Sequence, residues 1–265
     1  MFKRLMCILF VIGLAASAQA DTLAYWTFDG GTVGEPLLSD TDTAFGFMVE
    51  AFTDTDGSGG GSLTYGAGVM GTCADLYNPD PDNSKGMALF HNDDPLLKLM
   101  LPQFTIEGFI NVRTDRQSVC LVRKYGGDGR YFVDIRGDGA VYFAINSDDN
   151  VVGSAGGTIQ TGVWQHVAAV FDQDAAEPMK LYVDKNLVAS GGLSTPPLNS
   201  DRSFGIGCII RDNSYPPGNS GQFFDGLIDE VRISDAALTP DQFLPEPATI
   251  MLLGLGGLAL IRRKR

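Results

Sequence analysis

Residues that usually carry chemistry are scarce in this chain. Its 265 residues include only two histidines, two tryptophans and four cysteines. No CxxC or Cys/His spacing supports a zinc site. No Gly-x-Ser-x-Gly elbow precedes a helical pattern, and Gly57–Gly59 lies in a glycine loop. His166 alternates with Trp164 and Ala168 on one face of a strand, with no paired serine or cysteine motif nearby, so it reads as structural. Glycoside hydrolysis needs two carboxylates facing each other across the scissile bond. Glu107 has no acidic partner two residues away on either side, and Asp229 and Glu230, being adjacent, should point to opposite faces of a strand. The catalytic set is therefore read as empty.

Positive charge is missing from the middle of the chain. Lys3, Arg4, Arg262, Arg263, Lys264 and Arg265 hold six of the 19 basic residues at the two ends. Setting them and Glu246 aside leaves 13 basic against 31 acidic residues, a net of −18. A body that acidic repels phosphate backbones, which excludes nucleic acid as a partner. Sustained helical periodicity is absent from the same region.

Membrane-length apolar runs are absent too, yet both ends carry shorter ones. Met1–Arg4 is a basic start, Leu5–Ala16 an apolar stretch, and Ala18-Gln19-Ala20 a small-residue site of the kind signal peptidase reads. Residues 1–20 thus read as a signal peptide, in helical form, with cleavage before Asp21. Cys7 should leave with it. Of Cys73, Cys120 and Cys208, an odd number, at least one stays free or pairs between chains. At the other end, Pro245-Glu246-Pro247 precedes the apolar run Ala248–Ile261 and the basic cluster Arg262–Arg265. As a helix that run is about 21 Å long, short for about 30 Å of hydrocarbon. The basic cluster should stay cytoplasmic, leaving everything before Pro245 outside.

Residues 244–265 resemble the PEP-CTERM sorting signal, with tripeptide, apolar run and arginine-rich end in order. The resemblance implies a membrane-held intermediate processed near the tripeptide by an exosortase, in bacteria that make extracellular polysaccharide. The expected location is the cell envelope, outer surface or extracellular matrix, after transient anchoring by the C-terminus.

Residues 21–241 read as one β domain. Short apolar runs with period two recur at 23–28, 104–112, 119–125, 131–135, 141–145, 163–171, 179–183 and 223–233. Turn chemistry separates them at Gly126–Gly129, Gly137–Gly139 and Pro216–Asn219. A helix of a turn or two is expected near Thr239–Asp241, with Thr239 as cap.

Five of these runs stand in a familiar order: Ala24–Asp29 (AYWTFD), Phe104–Phe109 (FTIEGF), Gly162–Val170 (GVWQHVAAV), Leu181–Asp184 (LYVD) and Phe224–Ile233 (FDGLIDEVRI). The series resembles the laminin-G-like, concanavalin A-like family. It implies an all-β jelly-roll sandwich of two antiparallel sheets. Two departures are visible: Phe109 stands where the family usually has tryptophan, and Lys185 stands in a hairpin turn where glycine is usual. Residues 30–100 match poorly, and the loops there are expected to be the protein's own.

Two candidate sites follow. Thr105, Glu107, Phe109, Asn111 and Arg113 share the outward face of one strand, as either a contact surface for sugar or peptide or an ordinary solvated face. In the last strand, Leu227, Asp229, Val231 and Ile233 are expected to share an apolar face, where a carboxylate must be paired, hydrogen-bonded or metal-bound. Resemblance to calcium-containing jelly rolls suggests a structural Ca²⁺ held by Asp229 and a carbonyl near Asp29. Backbone N–H groups satisfying Asp229 account for the same residue equally well. Asp54–Gly59 imitates the start of an EF-hand loop, but Tyr65 stands where the closing glutamate belongs. The function expected is an exported, non-catalytic binding or adhesion module for a glycan or surface protein. A carbohydrate-active hydrolase or lyase, or a purely structural matrix protein, is the alternative.

Overall fold

The structure, a computed structural model, describes residues 21–41, 47–53, 60–80, 86–91, 99–114, 119–125, 130–146, 150–192, 196–198, 202–212 and 217–245. The expected signal segment with Ala18 and Ala20, and the tail from Glu246 and Pro247 to Arg262–Arg265, lie outside the described residues.

All regular structure among the described residues is β. The first six strands are β1 (Thr22–Trp26), β2 (Ser39–Thr41), β3 (Met48–Thr53), β4 (Ser62–Ala67), β5 (Thr72–Tyr77) and β6 (Met87–His91). Then come β7 (Gln103–Val112), β8 (Val119–Lys124), β9 (Arg130–Ile135), β10 (Val141–Asn146), β11 (Val151–Gly153) and β12 (Gln165–Asp172). The last are β13 (Met179–Val183), β14 (Asn186–Gly191), β15 (Phe204–Ile206), β16 (Ile209–Ile210), β17 (Ser220–Gly221) and β18 (Gly226–Ser234). The region 30–100, where the family resemblance is poor, supplies β2–β6 and so completes both sheets. Its pairing is long-range, which a local pattern does not reveal.

Sixteen of the strands form two antiparallel eight-stranded sheets, and β16 and β17 pair as a separate two-stranded sheet. The first runs β14-β13-β12-β7-β18-β5-β4, with β1 also on β18; the second runs β11-β10-β9-β8-β15-β6-β3-β2. Their inner faces enclose one core, to which β7 gives Phe104, Ile106, Ile110 and Val112 and β9 gives Tyr131, Val133 and Ile135. Trp26 is wholly buried there, stacked on Phe204 at 5.6 Å, with its indole N–H donating to the Phe47 carbonyl at 2.9 Å. The polar end of the ring is thereby satisfied while its apolar body fills the core.

β18 is the strand that organises the first sheet. β7 pairs along one edge; the other edge is shared, β5 taking Gly226–Ile228 and β1 taking Val231–Ser234. The changeover falls on Asp229–Glu230, where the register shifts and Glu230 has a positive φ of 54°. This bulge also changes the inward phase of the strand. Ile228 faces the core before it, and Val231 and Ile233 after it. Leu227 and Asp229 therefore do not share a core face with Val231 and Ile233, contrary to the alternation read from sequence.

Two local expectations take definite form. The β13–β14 hairpin turns through Asp184 and Lys185, both with positive φ (48° and 63°), so Lys185 adopts the backbone for which glycine is usual. Around Thr239–Asp241 the chain makes a turn rather than a helix, closed by Gln242 N donating to Thr239 O at 2.8 Å. Cys73, Cys120 and Cys208 are all free and buried.

Candidate functional site

The outward residues of β7 are where alternation placed them, but they are not open. Register aligns Tyr25, Arg232, Glu107, Ala168, Tyr182 and Leu187 in one row across β1, β18, β7, β12, β13 and β14. Along this outer face runs the segment 236–244, a strap that seals part of the row. Leu238 and Phe243 pack on Ala168 and Val170, with Tyr182 and Ala236 at the margin. Thr105 Oγ1 donates to the Ala236 carbonyl at 2.7 Å and accepts from Leu238 N at 2.9 Å. The folded unit thus continues past Asp241, where the sequence reading ends it.

Glu107 is the anchor of this strap, with a side chain only 1% exposed. Its Oε2 accepts from His166 Nε2 at 2.8 Å and from Leu244 N at 2.9 Å. Its Oε1 accepts from Arg232 Nε at 2.8 Å and from Arg232 Nη2. The same Nη2 donates to the Gln242 carbonyl at 2.9 Å. Burial opposes ionisation here, but the hydrogen bond from His166 and the charge of Arg232 outweigh it, and the Glu107 carboxyl is held below the usual range. His166 lies between Phe109 (centroids 4.9 Å) and Phe243 (5.6 Å). The expected ligand face is thus corrected: Glu107 is buried against the chain's own C-terminal segment, and Phe109 is buried beside His166. Arg113 is committed elsewhere, bridging Asp75 and Asp225 and donating to the Leu76 carbonyl at 2.8 Å. Asn111 is half-buried beside them. Glu107 holds the strap through Leu244 N, and His166 is wholly buried between the rings of Phe109 and Phe243, bonded through Nε2 to Glu107 with its Nδ1 lacking a hydrogen-bond partner.

Asp229 occupies the gap that the β18 changeover leaves between β1 and β5. Its Oδ2 accepts from Val69 N at 2.7 Å and Met70 N at 3.3 Å, while its buried Oδ1 has no hydrogen-bond partner. Burial first, and the neighbouring charge of Glu230 second, push the Asp229 carboxyl up to about 8. Asp29 stands nearby, accepting from Thr72 N at 2.8 Å, and Tyr25 donates its hydroxyl to Glu230. For Ca²⁺, hard oxygen donors and an orphaned buried oxygen fit in kind. In arrangement they are incomplete, since among the described residues no group of three or more metal-ligating side chains converges.

The second sheet carries a face that the sequence reading did not single out. On its outer side Arg123 lies over Phe132 at 4.2 Å and near Tyr125 at 5.5 Å, and Arg130 lies 5.9 Å from Tyr125. Arg136 covers Tyr142 at 4.5 Å. Arg123 is also paired with Asp134 at 3.0 Å and bonded to Gln222. Tyr142 and Tyr125 are half-exposed and Arg136 is exposed. The signal for it was available as aromatic and basic residues at period two in 130–142, but only the pairing of β8, β9 and β10 brings them together.

Comparison with known proteins agrees with this architecture. Domain 4 of AbnA, an extracellular GH43 arabinanase from Geobacillus stearothermophilus in complex with arabinotriose, superposes with a TM-score of 0.59 at 20% identity. The match covers 84% of this chain and 96% of that one. The binding domain of Paraclostridial Mosquitocidal Protein 1 gives 0.58 at 12% identity, over 84% of this chain and 50% of that one. The binding domain of Botulinum neurotoxin DC in complex with SialylT gives 0.55 at 11% identity, again over 84% and 50%. The chain thus spans about half the length of the toxin domains it matches. At these identities the likeness establishes the fold alone. No curated protein matches the chain. Residues 244–265 match the PEP-CTERM protein-sorting motif, which marks an exported protein sorted to the cell surface. Residues 84–243 match Laminin_G_3, and the chain belongs to that concanavalin A-like lectin/glucanases superfamily.

Proposed function

We propose that the protein is a non-catalytic glycan-binding module, exported through its signal segment and sorted by an exosortase acting at the tripeptide Pro245–Pro247. The ligand is an extracellular polysaccharide, met on the outer face of the second sheet. The observation that carries this reading is the exposed Arg136 over the half-exposed Tyr142 at one end of β9 and β10, with Tyr125 and Arg130 at the other end of the same sheet face. Aromatic rings offer a flat apolar surface for a sugar ring, and guanidinium groups offer paired donors for hydroxyl and carboxylate oxygens. The relatives solved with arabinotriose and SialylT support the same class of ligand. Fold alone does not fix function, so the claim rests on that face. A polysaccharide array probed with the exported chain tests it: saturable binding that Tyr142→Ala weakens about tenfold supports the module, and binding untouched by that change removes this face from consideration. Release of reducing ends from the bound polysaccharide would instead favour the hydrolase or lyase.

A structural Ca²⁺ belongs to the same proposal. The orphaned Oδ1 of Asp229 and the carboxylate of Asp29 would hold it in the gap between β1 and β5. It would be a structural ion, distant from the sugar face on the other sheet.

A further inference from the structure

The strap has a consequence for where the domain sits while its tail is in the membrane. Leu244 is buried, its N–H is held by Glu107, and the chain emerges from the folded surface at Pro245. The apolar run of the sorting tail begins at Ala248. Four residues of fully extended chain span at most about 14 Å. The polar layer on each side of the hydrocarbon takes up roughly 5–7 Å of that. The tail's apolar run is itself too short for the bilayer, so insertion draws the junction inward rather than paying out slack. No spacer separates domain from membrane.

We propose that the outer face of the first sheet, along the strap and out to β13 and β14, is a membrane-seating surface whose partner is the headgroup layer of an anionic bilayer. The inference rests on the tail reading above. From Glu107 the row runs through Ala168 and Tyr182 to Leu187, three strand spacings or about 14 Å from the strap's anchor. Leu187 ends the row as a large apolar side chain that is 52% exposed. Tyr182 stacks edge-on against Phe243 at 5.2 Å and is half-exposed. Lys180 lies one row away and Lys185 in the adjoining turn. An aromatic with a polar tip, an exposed leucine and two lysines are the residues that favour a bilayer interface. They stand together in a body whose net charge would otherwise drive it from anionic lipid.

The test uses the exported chain, tail included, reconstituted into phosphatidylethanolamine–phosphatidylglycerol vesicles. Leu187→Cys carries a polarity-sensitive fluorophore, and Leu38→Cys, an exposed position just before the second sheet's edge strand β2, serves as reference. The native cysteines are buried, with burial raising the thiols of Cys73, Cys120 and Cys208, so the label goes to the introduced site. Flotation with the vesicles reports the tail, and quenching by lipid-borne nitroxide reports seating. Seating predicts severalfold stronger quenching at 187 than at 38, and its loss on adding Phe243→Ala while flotation persists. Equal quenching at both sites with intact flotation overturns the seating and leaves the tail reading standing. Quenching at 187 that survives Phe243→Ala overturns the role of the strap. A chain that does not float overturns both readings together.

Discussion

Glu107 accepts the backbone N–H of Leu244 at 2.9 Å across 137 residues of sequence, and so ties the second half of the first sheet to the last turn of the folded chain. The bond is one of several on a single buried carboxylate, which also takes His166 and Arg232. Removing that carboxylate strands three donors at once.

Glu107→Ala is accordingly expected to destabilise the protein by about 3–5 kcal/mol, the range for breaking a buried, hydrogen-bonded ion pair on one side. Glu107→Gln should lose less, since its Oε1 still accepts one bond. Phe243→Ala removes a ring that packs on Ala168, His166 and Tyr182 and should cost about 3 kcal/mol. Urea unfolding of the three variants checks the ranking.

The same carboxylate sets acid stability. Its folded value lies below the unfolded one, so its contribution is fully present above the ordinary carboxylate range and is lost as pH falls through the lowered folded value. Melting temperature should drop between about pH 4.5 and lower values in the parent, and Glu107→Gln should flatten that limb of the curve. An unchanged acid limb in the variant would place the acid sensitivity elsewhere.

Asp229 acts in the opposite direction. Its carboxyl is pushed up from 3.8 to about 8. The folded state then binds more protons than the unfolded state between those values, and stability falls as pH rises through the window. Without added metal, Asp229→Asn should remove that slope and stabilise the protein at pH 8. If Ca²⁺ occupies the gap, millimolar calcium abolishes the slope in the parent, raises its melting temperature and does neither in the variant. A melting temperature indifferent to calcium and chelator would retire the ion.

Lys185 is held at a φ of 63° in the β13–β14 turn. Left-handed backbone costs a non-glycine residue about 1 kcal/mol. Lys185→Gly should therefore stabilise the hairpin by up to about 1 kcal/mol, less the added freedom of the unfolded chain. Calorimetry on the pair of proteins measures it.

On the second sheet, Arg136→Ala and Tyr142→Ala remove an exposed cation and the half-exposed ring beneath it. Both should leave the melting temperature nearly unchanged and weaken glycan binding about tenfold each, with a combined loss smaller than the product. Titration of the best array ligand against single and double variants decides this.

Local pattern was enough for much of the molecule. Alternation in Phe104–Val112 was right in phase, since the residues opposite its outward set, Phe104, Ile106, Ile110 and Val112, fill the core. What failed was the inference from outward to open, because the covering strap comes from 236–244 and nothing near residue 107 announces it. At Asp229 the failure is different. A bulge shifts the phase of a strand by one residue, and it exists here because β1 and β5 must share one edge of β18. Neither neighbour is visible in the nine residues of that strand.

Sequence alone determined the properties that depend on composition and nearest neighbours: an all-β jelly roll, a sorting motif at 244–265 and an acidic body. Tertiary structure alone decided which polar groups meet. Glu107 finds His166, Arg232 and Leu244; Arg123 finds Phe132 and Asp134; Asp229 finds the amides of Val69 and Met70. The reason is physical. Burial rewards apolar area wherever it lies along the chain, so periodicity reports it locally. A buried charge is tolerated only with particular partners at bonding distance, and in an antiparallel sandwich those partners come from strands far apart in sequence.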